Sequence, residues 1–545
     1  MKVDMLREKW DRLPKEKILE LQSQKLRQHL QEVILPFSKH YRQLFKEHNI
    51  DVKKIRSIED LQSIPFSSKK DLSPTVGRPD KPRDFIITPD KAVLKKRPQV
   101  IARALLKGRS RLEKELEHEF RPILMTSTTG RSAEPIPFVY TKHDVDNLAL
   151  AGKRIMELCG GKPEYKMLNM FPYAPHLAFW QTHYAGTEFG IFVFSSGGGK
   201  VMGTTGNLRV LSKINPEVLI GIPTFVYHVL HQAVEEGLRC ENLQKIVLGG
   251  EKVEDGMRAK MRLLASQLGA TKEVDVLATY GFTEAKMAFV ECPYPSGEKA
   301  SGYHLYPDMG LVEVIDPDTE EVLPEGVKGE IVYTPLDARG TTILRYRTGD
   351  IIENGMVYEP CPFSGRMAPR LVGRISRRSE IKEMKLDKIK GTLVDFNHLE
   401  YVMESADHVG AWQLEIRKIH DDPMEIDELI LHVEKSDRTS DDTLRKGLKD
   451  HFSSLTEIQP NAIYFHNTQE MQRLHGVGVQ IKEQKIVDHR PGSKQFVERP
   501  QEIITVNTNG GFLKRTIRNV FPHLMKTIDA IGHKHGDKEK TNGHR

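Results

Sequence analysis

Between Thr126 and Gly373, short apolar runs alternate with longer amphipathic stretches. "GIFVFSS", "PEVLIGIP", "QKIVLGG" and "EVDVLATYG" each end in glycine, proline or small polar residues. Apolar runs of that length, bounded by turn residues, read as buried strands. Strands separated by helical stretches pair in parallel through crossover helices, so the pattern predicts an α/β fold with ligand groups on loops at the strand ends. Between Gly302 and Asp350 the pattern changes. "GLVEVIDPDTEEVLPEGVKGEIVYTPL" reads as two strands joined by a polar turn, a small β subdomain spanning 302–350.

The flanks differ from this centre. Residues 1–120 form a helical lead-in, in which Ile18, Leu21, Leu26, Leu30 and Ile34 recur at helical spacing. The basic segment "PQVIARALLKGRSRLEKELEHEF" predicts one or two further helices with a solvated charged face. A second domain, 376–530, begins just after "LVGRISRRSE". It holds a strand at "ELILHVEK", a helix around Asp442 to Phe452, a strand at "NAIYFH" and a helical face made by Leu513, Ile517, Phe521, Leu524 and Ile528. The polar tail, 531–545, is expected to be disordered.

A length of 545 residues exceeds what one ordinary core supports, which agrees with a division at about 375. With 38% hydrophobic and 29% charged residues the chain has a soluble globular composition. No apolar run approaches the roughly 18 residues of a membrane-spanning helix, so no integral membrane association is expected. The charged start lacks the apolar centre of a secretory signal. Four widely spaced cysteines make no disulfide framework, which predicts the reducing cytoplasm. A net charge of +6 spread over this length is no footprint of nucleic-acid binding.

The chemistry sits in the glycine-bearing loops. "TSTTGR" supplies hydroxyls at Thr126, Ser127, Thr128 and Thr129, and approachable backbone N–H groups around Gly130, as a phosphate chain requires. "LGGE" offers a side-chain-poor surface, Gly249, Gly250 and Glu251, suited to a purine face. "TYGFTE" ends a strand with an aromatic ring, a hydroxyl and a carboxylate, and a carboxylate beside phosphates calls for Mg²⁺ between them. "YRTGD" presents Asp350 where it could accept bonds from two ribose hydroxyls.

In this order the motifs resemble the adenylate-forming superfamily of acyl-CoA synthetases, and within it the phenylacetate–CoA ligases. The resemblance runs from about Trp10 to about Pro491 and is carried by "IRSIEDLQSIPFSSKKDL", "YGFTE", "IDPDTEEVLPEGVKGEIVYTPL", "LRYRTGD", Gly373–Arg374 and "KIVDHRP". It implies a large N-terminal adenylation domain, 1–375, of mixed sheets and helices, with a small mobile α+β domain behind it. Thr126 to Gly130 would hold the ATP phosphates, and Gly249, Gly250, Glu251 and Tyr280 would bracket the adenine. Thr283 would contact the α-phosphate, Glu284 would hold Mg²⁺, and Asp350 would grip the ribose with Arg374 assisting. The implied catalytic lysine is Lys482, with Lys514 the alternative. Ser127 stands where the family favours glycine, and Ser376 where it favours aspartate.

The activity implied is ligation of a carboxylic acid to coenzyme A through an acyl-adenylate. The alternatives are transfer to another acceptor, such as a carrier-protein thiol, or a degenerate homologue that binds nucleotide without turnover. Phe179, Trp180, Phe225 and Ala278 are the expected acyl-pocket residues. Some relatives carry a structural zinc; here Cys292, His304 and Cys361 are the candidate ligands, without a second cysteine after Cys361.

Overall fold

The protein is described from a computed structural model covering residues 2–74, 77–128, 135–377, 387–389, 392–394, 396–418, 427–455, 459–477 and 484–489. Thr129, Gly130, Lys482, Lys514, the 513–528 helical face and the 531–545 tail lie outside the described residues.

Five parallel strands form the centre. In spatial order they are Phe192–Ser195, Lys166–Asn169, Val218–Gly221, Lys245–Leu248 and Asp275–Phe282. The quoted apolar runs are therefore strands, and Val218–Gly221 is buried at every position. Burial of both faces, with helices above and below, is why these strands read as continuous apolar runs. Phe192 is more than half exposed because its strand lies at the sheet edge.

The chain order reverses between Lys166–Asn169 and Val218–Gly221, since the next strand after Lys166–Asn169 pairs on the other side. Such a switch point opens a crevice at the carboxyl ends of the strands. The sheet continues antiparallel from Asp275–Phe282 through Met287–Val290, Tyr303–His304, Arg370–Leu371 and Met356–Val357.

Helix Lys142–Leu158 starts with a capping box, in which Thr141 and Asp144 satisfy each other's backbone N–H groups. Asp144 also accepts from the Gly340 and Arg339 amides at 2.7 and 3.0 Å, tying that helix start to the loop before Tyr346. An antiparallel sheet of Gly310–Ile315, Gly329–Pro335, Tyr346–Ile352 and Ile375–Arg377 contains the hairpin expected from the 302–350 pattern. The lead-in is helical, with Lys15–Gln28 followed by a π-helical turn, His29–Ile34. Ile18, Leu21, Leu26, Leu30 and Ile34 are all fully buried.

Residues from 396 onward build a second hydrophobic core around Trp412, Leu431 and Phe452. Its strands run Ala462–His466, Asp427–Lys435, Val409–Lys418 and Ile486–Asp488 in spatial order, with helices Phe396–Glu404, Asp441–Leu455 and Thr468–Leu474 alongside. This core meets the first through apolar Ala411 and Met471 and through polar groups. His228 Nε2 meets His475 Nδ1 at 3.1 Å, and Lys260 donates to the Gly410 carbonyl at 3.3 Å. The chain is thus mixed α/β, a large body with several sheets and a smaller α+β unit.

Candidate active site

The carboxyl ends of the central strands carry the loops singled out above. Asp275–Phe282 and Met287–Val290 form a hairpin whose turn, Thr283–Ala285, holds Thr283 and Glu284. Next to it runs Tyr346–Ile352, with Asp350 buried near its end. Two tyrosines join these segments. Tyr280 donates to Asp350 Oδ2 at 2.8 Å, and Tyr346 donates to Glu284 Oε1 at 2.7 Å. Burial, followed by the adjacent carboxylate, raises both phenols well above their ordinary range, so they remain donors at any working pH. Two carboxylates, one from each of two sheets, are thereby oriented by tyrosine hydroxyls.

The strand bearing Asp350 is held from behind. Arg345 makes a buried two-bond pair with Glu313, at 3.1 and 2.9 Å, and donates to the Gln62 and Ile64 carbonyls. The Asp350 amide donates to Thr348 Oγ1, whose own hydroxyl donates to the Ile331 carbonyl. Carboxylate geometry is set by this scaffold and not by a loop.

Two arginines end that sheet, and they face different partners. Arg374 is exposed and pairs with Glu353 at 3.5 Å. Antiparallel register places Arg377 opposite Asp350, and its Nε lies 3.0 Å from Asp350 Oδ1. Arg377 was not expected from the sequence. The same holds for Tyr346, although "YRTGD" contains it.

The hydroxyl-rich stretch opens a hairpin, Leu124–Ser127 paired with Pro137–Tyr140. Thr126 is fully buried, and its hydroxyl donates to Tyr140 Oη at 3.2 Å. The Ser127 amide donates to the Pro175 carbonyl at 2.6 Å. Thr128 closes the loop from both sides. Its amide donates to the Ile136 carbonyl at 3.1 Å, and its hydroxyl accepts from the Ile136 amide at 3.0 Å. With the Ser127 hydroxyl also donating to the Pro175 carbonyl at 3.4 Å, three of the hydroxyls brace the base of the loop. Lys286 lies beneath it with Nζ 3.3 Å from Asp144 and 5.0 Å from the Tyr140 ring centre.

At "LGGE", Gly249 has a tight fit: a Cβ there would stand 2.3 Å from Thr279 Oγ1. Gly250 has φ +88°, a left-handed conformation that favours glycine. Glu251 is anchored by the Thr224 hydroxyl at 2.7 Å. These positions and Tyr280 lie at the ends of neighbouring strands, since Leu248 pairs with Ala278.

Of the acyl-pocket candidates, Phe179 and Trp180 touch, with ring centres 5.3 Å apart. Phe225 lies on helix Pro223–Glu235, directly after the strand at the switch point. Ala278 is buried in the sheet, and its amide donates to Glu291 at 2.7 Å. In "KIVDHRP", Lys485 is described: it pairs with buried Glu404 at 2.7 Å and stands over the Trp412 ring.

Cys292, His304 and Cys361, far apart in sequence, converge so that their ligand atoms lie within 4.8 Å of one another. All three are buried, and both His304 ring nitrogens are without a hydrogen-bond partner among the described residues. Ser301 Oγ lies 3.2 Å from the Cys361 sulfur. The Cys292 thiol, with the Ser301 hydroxyl, holds the Cys361 thiol well below its ordinary value. Soft sulfur donors and an orphaned imidazole form a set that fits Zn²⁺.

Comparison with known proteins agrees with this architecture. The model of the AMP-binding enzyme family matches residues 144–335. Phenylacetate-coenzyme A ligase of Thermus thermophilus is 27% identical over 355 residues, 64% of this chain and 68% of that protein. The Escherichia coli ligase of the same name is 24% identical over 385 residues, covering 69% and 74%. The fold is similar to crystal structures of 2-hydroxyisobutyryl-CoA ligase. In the postadenylation state the TM-score is 0.67 at 18% identity, covering 88% of this chain and 91% of that one. For an open conformation the TM-score is 0.55.

The fold is that of the acyl-CoA ligases just compared, and its centre resembles the AMP-binding enzymes of the adenylate-forming superfamily. More narrowly, the chain is similar to the phenylacetate–CoA ligases of that superfamily.

Proposed function

We propose that this protein is an ATP-dependent acid–thiol ligase, forming an acyl-adenylate and then an acyl-CoA thioester. The observation that carries the reading is the pair of carboxylates, Asp350 and Glu284, each oriented by a tyrosine hydroxyl.

In the first half-reaction a substrate carboxylate oxygen attacks the α-phosphorus of ATP, and the bond to pyrophosphate breaks. Two anions must meet, so charge has to be neutralised by preorganised donors. Asp350 accepts from the ribose hydroxyls. Gly249, Gly250, Glu251 and Tyr280 flank the adenine, Thr283 contacts the α-phosphate, and the 126–130 loop receives the remaining phosphates. Glu284 offers a carboxylate oxygen of the type that binds Mg²⁺, which when bound supplies charge neutralisation at the phosphates. Lys482 supplies a cation between the carboxylate and the α-phosphate, and Arg374 assists near the hinge.

In the second half-reaction the small domain, 376–530, turns against the large domain, 1–375. A coenzyme A thiolate then attacks the acyl carbon, and the bond to AMP breaks. Phe179, Trp180, Phe225 and Ala278 border the acyl site. A structural Zn²⁺ would be held by Cys292, His304 and Cys361, pinning the antiparallel end of the large sheet. All four cysteines are free, which supports work in a reducing cytoplasm. No helix among the described residues is long and apolar enough to cross a membrane.

The test is pyrophosphate exchange across a panel of carboxylic acids, with and without coenzyme A. Exchange plus thioester formation is expected for at least one acid. Exchange without thioester would point to another acceptor, such as a carrier-protein thiol. Absence of exchange with every acid, despite ATP binding, would refute the enzymatic reading. In Lys482→Ala, adenylation should slow on the order of 10²–10³-fold, the usual effect of losing a preorganised charge donor.

A further inference from the structure

Asp350 presents two oxygens to the candidate nucleoside site, and the chain itself engages both. Oδ2 accepts from Tyr280 at 2.8 Å, an orientation the buried phenol maintains. Oδ1 faces Arg377 Nε at 3.0 Å. A ribose that binds Asp350 needs at least one of these oxygens. The two contacts differ in how easily they yield. Tyr280 is buried, whereas the Arg377 side chain is 53% exposed and can swing into solvent. Its Nη1 also donates to the Thr348 carbonyl, at 3.0 Å.

We propose that Arg377 gates the nucleoside site, its guanidinium occupying the Asp350 oxygen that a ribose hydroxyl takes when nucleotide binds. Arg377 is a positioning residue that acts through Asp350, and the inference rests on the reading of Asp350 as the ribose ligand. Strand register brings the contact about, because Arg377 is paired opposite Asp350. Both Asp350 and Glu284 lie within electrostatic reach of Arg377, so the guanidinium also balances their charge. When ribose displaces it, the arginine is released toward the phosphates, where its charge is useful. Nucleosides and nucleotides should therefore respond differently to its loss.

The experiment uses the full chain with adenosine and AMP. Adenosine affinity is read by competition against a fluorescent AMP analogue, and AMP by calorimetry. Arg377→Ala should bind adenosine about 3- to 5-fold more tightly, the worth of one half-exposed ion pair. AMP should gain less, because the cation is lost as well. Arg377→Lys should return adenosine toward the wild-type value, since a lysine still competes for Oδ1.

Asp350→Ala separates the two layers of the argument. If Asp350→Ala weakens adenosine binding but Arg377→Ala leaves it unchanged or weaker, the gate is wrong and the ribose assignment stands. If Asp350→Ala binds adenosine like wild type, the ribose assignment itself is wrong. Tightening by Arg377→Ala that persists in the double variant with Asp350→Ala also overturns the gate. Failure of the wild-type protein to bind either ligand would overturn both. Thermal melts of each variant identify any loss of binding caused by misfolding.

Discussion

Acid should loosen the join between the two cores, and His475 is the group that reports it. His475 is buried where the cores meet, its Nε2–H donating to the Trp412 carbonyl at 2.8 Å. Its Nδ1 lies 3.1 Å from His228 Nε2, so it accepts there and both rings are neutral. Protonated His475 would turn a donor toward the His228 N–H, with the Lys485 ammonium adding positive charge nearby. Burial lowers His475 to about 4 from an ordinary 6.5. The folded pKa is depressed, so the unfolded chain binds more protons below 6.5. Stability is complete above that value and falls as pH drops toward about 4.

Linkage with those two values gives a loss of about 2 kcal/mol between pH 7 and pH 5 from this one residue. His228 is shifted in the same direction by burial and by His475, and adds to the loss. The assay is urea unfolding at several pH values, followed by Trp412 fluorescence in a background where Trp10 and Trp180 are phenylalanine. His475→Gln should lose about 1–2 kcal/mol at pH 7, the cost of a disrupted buried hydrogen bond. It should then show a shallower acid dependence than its parent. Parallel pH curves for the two proteins would refute the reasoning.

Purified protein should contain one zinc per chain by elemental analysis, and either Cys361→Ser or His304→Ala should abolish it; metal-free wild-type protein after zinc-supplemented expression counts against the site. Gly249→Ala should weaken AMP binding at least about 10-fold, because the added carbon meets Thr279 Oγ1. Thr279→Ala in the same chain should restore part of that affinity, and failure to do so would place the strain elsewhere. Arg258→Met breaks a buried pair with Glu291, held at 2.8 and 2.9 Å. It should cost roughly 3–5 kcal/mol in urea unfolding, since the carboxylate that accepts from the Ala278 amide is left without its cation.

Much of the fold is legible in the chain because local signals and burial agree. "PEVLIGIP" and "QKIVLGG" are apolar throughout, and only a strand covered on both faces uses such a run. Thr141 and Asp144 announce a helix start that the structure realises as a capping box. The π-helical turn at His29–Ile34 has no such signature, because the same apolar spacing suits an α-helix. In the hydroxyl-rich stretch, composition alone could not separate ligand donors from structural ones. Thr126 and Thr128 turn to Tyr140 and Ile136, a choice made by the strand pairing around them.

What the sequence by itself determines is therefore the order of strands and helices, the glycine-bearing loops at strand ends and the residue types each loop can offer. The tertiary structure decides which of those residues meet. Arg374 and Arg377 have the same chemistry three positions apart, yet antiparallel register delivers Arg377 to Asp350 and leaves Arg374 with Glu353. Cys292, His304 and Cys361 become neighbours because strands from separate parts of the chain pair in one sheet. Local propensity acts over a few residues, whereas pairing register and burial act across hundreds, and the functional contacts here belong to the second kind.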